Sequence, residues 1–223
     1  MKQTPSKECI VLFDLDGTLI DSTEAILESF RVTYETLSLS TPEDTAITAL
    51  IGYPLDDMFA RLSIPAGQID TCVHTYKEHY RHISRAKTVL LPGAKEAVKT
   101  AAQFAHLGIV TTKTGRFSIE LMEHLGLMEY FTVLIGREDV RHPKPNPEPI
   151  HKALRSLPQI TGKTYMIGDT CMDMDAAKAA GVVGIGVLCG YGTAETLEGC
   201  AEYLVEDAEE AVEKIGCAGY SAV

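Results

Sequence analysis

The sequence predicts an α/β protein: a three-layer parallel sheet with a small helical domain inserted after its first strand. Three observations predict it. Short, continuously apolar runs recur along the chain, as strands buried on both faces require. Helical stretches separate most of these runs. One block, residues 22–87, breaks the alternation by reading as helix alone.

The first strand is "CIVLF" (9–13). In the helical block, Ser22 is placed to cap "TEAILESFRVTYETL", and "PEDTAITALIG" and "PLDDMFARL" follow. "QIDTCVHTYKEHYRHI" then sets Ile69, Cys72, Val73, Tyr76, Tyr80 and Ile83 on one helical face. The block is too long for a crossover, so residues 20–88 are expected to form a helical cap domain. Its hinges fall near 19–21 and 88–92, and residues 1–19 and 89–223 form the core.

Beyond the hinge, "GAKEAVKTAAQFAHLG" (93–108) reads as a helix stopped by Gly108. "GIVTT" (108–112) is a strand, "RFSIELMEHLG" (116–126) a helix and "FTVLI" (131–135) a strand. "NPEPIHKALRSL" (146–157) is a helix with Asn146 as N-cap and Pro147 in its first turn. Strands "TYMIG" (164–168), "VVGIGV" (182–187) and "EYLV" (202–205) alternate with helices at 171–181 and 207–216. This order of elements is Rossmann-like.

The chain has 223 residues and a net charge of −11. That balance argues against nucleic acid as a partner, because phosphate contacts need Lys and Arg. No apolar run is long enough to span a bilayer, and no signal segment precedes the first strand, so a cytoplasmic location is expected; monomer and homodimer both stay open. Reduced thiols are then expected for Cys9, Cys72, Cys171, Cys189, Cys200 and Cys217. No Cys/His spacing matches a zinc site, and His74, His79 and His82 read as a solvated helix face.

In an open parallel sheet, ligands bind beyond the carboxyl ends of the strands. The first strand ends on Asp14, with Asp16 two residues on. Thr111 and Thr112 end the second, followed by Lys113. Asp169 ends the fourth, and Asp173 follows at a helix start. Lys144 sits between two prolines in "HPKPNP". Asp14 and Asp16 share a side by strand periodicity and need a counter-charge, and Mg²⁺ prefers such hard oxygen ligands together with phosphate. An ionised Asp can attack phosphorus, and a second acid can give and take a proton.

"DLDGT", the Thr111 strand end, Lys144 in "HPKPNPEP" and "GDTCMD" resemble the four motifs of the haloacid dehalogenase superfamily, in order and spacing. The resemblance covers nearly the whole chain, including the helical cap. It implies that Asp14 is the nucleophile and Asp16 the general acid/base. Thr111 would bind the phosphoryl group, and Lys144 would neutralise charge. Asp14, the Asp16 carbonyl and Asp169 would ligate Mg²⁺, with Asp173 in support. "FDLDGTLIDS", "GYPL" and "GVLCGYGTAETL" look most like the phosphoglycolate phosphatase group. That group often has Asn after the motif Thr, where this chain has Thr112.

The implied reaction is Mg²⁺-dependent hydrolysis of a small phosphorylated metabolite, a phosphoglycolate-like monoester, through an aspartyl-phosphate. Gly17, Thr18, Thr112, Tyr53 and Arg61 are the expected substrate contacts, with Arg81 and Arg85 as further cations of the cap. A sugar phosphomutase (β-phosphoglucomutase-like) and an inorganic pyrophosphatase of the same superfamily are the alternatives. Outside enzymes, a phospho-acceptor receiver module also sets acids and a lysine at strand ends, but has no use for a cap or for Asp16. "GIGVLCGYG" lacks dinucleotide-loop spacing and reads as a tight loop. Asp175 is expected to face solvent, and Cys171 to be a bystander in the metal loop.

Overall fold

A computed structural model of the chain describes residues 7–219, with side chains to Gly216. After β1 (Cys9–Phe13) comes a two-residue strand, β2 (Ile20–Asp21), then helices α1 (Thr23–Thr36), α2 (Asp44–Thr48), α3 (Leu55–Arg61) and α4 (Ala66–Ile83). A second short strand, β3 (Val89–Leu90), leads into α5 (Ala94–Phe104), β4 (Ala105–Val110) and α6 (Gly115–His124). β5 (Val133–Ile135), α7 (Glu148–Ser156), β6 (Thr164–Gly168) and α8 (Cys171–Ala180) follow. β7 (Val183–Val187), α9 (Ala194–Glu198), β8 (Tyr203–Val205) and α10 (Ala208–Gly219) complete the chain.

Six strands form one sheet in the order β5-β4-β1-β6-β7-β8, every pair parallel. Alternation along β1 explains the three layers. Val11 and Phe13 join one apolar cluster with residues of α5, α6 and α10, while Ile10 and Leu12 join another with α7 and α8. The reversal of strand order at β1 puts a crevice at the carboxyl ends of β1, β4 and β6.

Helices α1–α4 build an apolar cluster of their own, centred on Phe30, Phe59, Tyr76 and Tyr80. Phe30 and Phe59 are 4.8 Å apart by ring centroids. On α4, Cys72, Tyr76 and Tyr80 are buried, with Ile69, Val73 and Ile83 packed beside them. Where the sequence suggests hinges, β2 and β3 pair as a short antiparallel ribbon.

The structure corrects several local expectations. Gly108 is not a helix stop: α5 ends at Phe104, and Ala105 to Ile109 pair with Cys9 to Phe13. Sheet pairing overrides the helical pattern of Ala105–Leu107. Gly108 is required by packing, since a Cβ there would lie 2.8 Å from Leu12 Cδ2 and 3.0 Å from Val133 Cγ1. Gly108→Ala should cost about 1–3 kcal/mol, read as a Tm lowered by roughly 2–4 °C per kcal/mol. An unchanged Tm would show that Leu12 and Val133 can move aside freely.

Ser22 precedes α1 but makes no capping bond, because its hydroxyl is engaged elsewhere. Asn146 Oδ1 accepts from the Glu148 N–H at 2.9 Å, one position upstream of the cap residue Pro147. His79 is half-buried rather than solvated, with Nδ1 3.2 Å from Ser29 Oγ and Nε2 3.7 Å from Glu28. Cys171 and Cys200 are disulfide-bonded rather than reduced, Cys9, Cys72 and Cys189 are free, and the Cys217 side chain lies outside the described residues. Among the described residues, no helix is long and apolar enough to cross a membrane.

Candidate active site

The crevice gathers the strand-end polar groups. Asp14 directly follows β1, and its N–H donates to Ile167 O at 2.9 Å, which locks it against β6. Asp169 directly follows β6, and Asp173 lies in the first turn of α8. One oxygen from each of Asp14, Asp169 and Asp173 lies within 4.8 Å of the others. All three side chains are buried, at 3%, 0% and 0% exposure.

Each carboxylate is held from a different direction. Asp169 Oδ1 accepts from Thr18 Oγ1 at 3.2 Å, and Oδ2 accepts from the Tyr191 N–H at 2.8 Å. Asp173 Oδ2 accepts from the N–H and hydroxyl of Thr170, closing a capping box on α8. Lys144, 2% exposed, donates to Val110 O at 3.1 Å and to Asp173 Oδ1. Its Nζ also lies 3.0 Å from Asp14 Oδ1, an ion pair that leaves that buried oxygen without a well-formed hydrogen bond.

Three buried acids thus face one buried ammonium. Burial pushes the Asp14 carboxyl up to about 7, Lys144 pulling it down and Asp173 pushing it further up. Burial and the two neighbouring acids likewise carry Asp169 well above the usual range. A hard divalent cation fits this set. It would supply the missing counter-charge and a further partner for Asp14 Oδ1.

Asp16 points elsewhere. It accepts from Lys113 Nζ at 3.1 Å (Oδ1) and 2.9 Å (Oδ2), and from the Ser22 hydroxyl. It lines a cleft of about 330 Å³ between the helical block and the sheet, with Gly52, Tyr53, Thr112, Lys113 and Arg137 among the walls. Thr112 Oγ1 donates to Gly52 O at 2.8 Å, joining the two sides. Thr111 is buried at the end of β4, its N–H donating to Ile135 O and its hydroxyl accepting from the Lys113 N–H at 3.2 Å.

The expected substrate contacts divide. Tyr53 and Thr112 line the cleft. Thr18 does not: it is fully buried and spends its hydroxyl on Asp169. Gly17 is also buried, at φ 83°, where an added Cβ would fall 2.2 Å from Asp169 Oδ2. Its role is to let the chain turn beneath that carboxylate. Arg61 is exposed and lies over the Tyr53 ring at 4.0 Å instead of lining the cleft. Arg81 pairs with Glu78 and Arg85 with Glu120, both at the surface.

The cations that do line the cleft are Lys77, Lys113 and Arg137. Lys113 stands out among them: its side chain is 10% exposed, and its Nζ sits 4.7 Å from the Tyr80 ring centroid. Its position just after Thr111-Thr112 was the available signal. Tyr191, in the tight loop after β7, bridges to the helical block through a 2.9 Å hydroxyl contact with Thr23. Asp175 is exposed, as expected.

The family profile described as haloacid dehalogenase-like hydrolase matches residues 11–187, which spans every strand-end group above. The chain belongs to the haloacid dehalogenase-like hydrolases. Within this family it is 40% identical over 174 residues to the pyrophosphatase PpaX of Halalkalibacterium halodurans, covering 77% of this chain and 80% of that one. It is 29% identical over 211 residues to the phosphoglycolate phosphatase of Salmonella typhimurium, covering 84% of each. A solved haloacid dehalogenase-like hydrolase from Bacteroides fragilis superposes with a TM-score of 0.85 at 29% identity, over 91% of this chain and 98% of that one. This family member is a phosphatase, related to both named activities.

Proposed function

We propose that this phosphatase is Mg²⁺-dependent and hydrolyses a small phosphate monoester of the phosphoglycolate kind through an aspartyl-phosphate on Asp14. The observation that carries the reading is the divergence of the two acids of "DLD". Asp14 turns into the buried acidic triad beside Lys144, while Asp16 turns into the cleft. This divergence supports a nucleophile on one side of the transferring group and a proton donor on the other.

In the first step an Asp14 oxygen bonds to phosphorus as the bond from phosphorus to the leaving oxygen breaks. That oxygen takes the proton held by Asp16. Water then attacks phosphorus and gives a proton to Asp16, and the bond to Asp14 breaks. Orthophosphate leaves, and both carboxyl groups return to their starting states. Lys144 offsets charge on Asp14 and the phosphoryl oxygens, and the Thr111 hydroxyl donates to one of those oxygens. Bound by Asp14, Asp169 and the Asp16 carbonyl, with Asp173 behind them, Mg²⁺ would neutralise phosphoryl charge.

The helical block, residues 20–88, acts as the cap that closes over the cleft and excludes water. Its small volume favours a short leaving group. Pyrophosphate is the second reading, favoured by the 40% identity to a pyrophosphatase.

A panel of phosphoglycolate, pyrophosphate, hexose phosphates and nucleoside monophosphates tests the choice. The two small substrates that carry a second anionic group, phosphoglycolate and pyrophosphate, should give the highest kcat/KM. Tyr53→Ala should change the ranking more than it changes hydrolysis of an aryl phosphate. A nucleoside monophosphate turned over best, or a ranking indifferent to Tyr53, would overturn the substrate assignment.

A further inference from the structure

We propose that Lys113 is a specificity-determining residue that recognises an anionic group on the leaving half of the substrate. The inference rests on the reading above, in which Asp16 protonates the leaving oxygen. The Lys113 ammonium is 2.9 and 3.1 Å from the two Asp16 oxygens. Whatever atom approaches Asp16 from the cleft therefore approaches Lys113 as well. A carboxylate or phosphate one or two bonds beyond the leaving oxygen falls within reach of an ammonium, which offers three donors and needs only one or two for Asp16.

Other cations of the cleft are less suited to this task. Arg137 is tied to Asp56 at 3.3 Å and to Val140 O. Lys77 belongs to α4, on the side opposite the sheet. Lys113 is fixed by its own chain, directly after the Thr111 strand end, so its distance from the reacting phosphoryl group is set by β4 and not by movement of the helical block. The ring of Tyr80 backs the ammonium from the helical side at 4.7 Å. This cation–π contact adds to the hold on the charge in the cleft. Apart from Lys113 the acids outnumber the bases on the walls, with Asp16, Asp56, Asp70 and Glu138 against Lys77 and Arg137. An anionic leaving group needs a dedicated cation there, and a neutral one does not.

The test is kcat/KM for phosphoglycolate (a carboxylate), pyrophosphate (a second phosphate) and 2-hydroxyethyl phosphate (an uncharged alkyl leaving group that needs the same proton from Asp16), with wild type, Lys113→Gln and Lys113→Arg. A hydrogen bond to a charged group contributes about 1.5–3 kcal/mol. Lys113→Gln should therefore lower the ratio of an anionic substrate to 2-hydroxyethyl phosphate by about 10- to 100-fold. Lys113→Arg keeps the charge and should restore most of that ratio, which a general loss of packing would not allow. A larger fall for phosphoglycolate identifies the group as a carboxylate, and a larger fall for pyrophosphate identifies a phosphate. Equal losses on all three substrates would overturn the inference and leave the phosphatase reading standing. Wild type inert toward all three would overturn that reading and this inference together.

Discussion

Asp14→Asn should lower phosphatase turnover by about 10³-fold or more, because an amide cannot attack phosphorus as a carboxylate does. The substitution preserves shape, and Lys144 retains Asp173 and Val110 O as partners, so the fold should survive. Acid-quenched wild-type protein treated with borohydride during turnover should carry homoserine at position 14, the reduction product of an acyl phosphate. Asp14→Asn should carry none. Reduction at another acid, or burst-free turnover with no trapped adduct at any pH, would remove Asp14 from the nucleophile's role.

Chelation should abolish activity, and Mg²⁺ should restore it. Asp169→Ala should raise the Mg²⁺ concentration for half-activity at least about tenfold, since a buried hard ligand is lost. Stability gives an independent readout. With the Asp14 pKa raised to about 7, the native state of the chelated protein holds a proton that the unfolded chain releases near pH 4. The stability from that proton is full below the unfolded pKa and is lost as pH rises through about 7. The Tm of chelated protein should fall over that window, and saturating Mg²⁺ should flatten the fall. Full activity in excess chelator, or a Tm profile indifferent to Mg²⁺, would sink the metal assignment.

The strands were legible because burial on both faces leaves continuous apolar runs, and their ends then named Asp14, Thr111 and Asp169. The start of β4 was not legible. Ala105, His106 and Leu107 continue the helical pattern of α5, and only pairing with β1 claims them. The β2–β3 ribbon is too short to leave a period. Side-chain direction was the harder part. Nothing in "DGTLIDS" says that Thr18 turns inward to Asp169 while Ser22 turns to Asp16. Arg61 is an unremarkable helix cation until Tyr53 is seen beneath it. The Cys171–Cys200 pairing depends on α9 bringing distant segments together. Lys113 acquires significance only when Asp16 and Tyr80, from separate parts of the chain, meet around it.

β1, which leads into Asp14, is the first strand among the described residues, yet it lies inside the sheet, with neighbours that begin at Ala105 and Thr164. During synthesis from the N-terminus, β1 therefore has no hydrogen-bonding partner until the whole helical block and α5 have been made. Its second partner comes later still. Helices α1–α4 draw on contacts closer in sequence and can condense while β1 waits. An exposed, wholly apolar strand is a template for wrong pairing in that interval. Slowed translation or truncation before residue 168 should thus yield aggregation-prone nascent chains whose helical block is already folded.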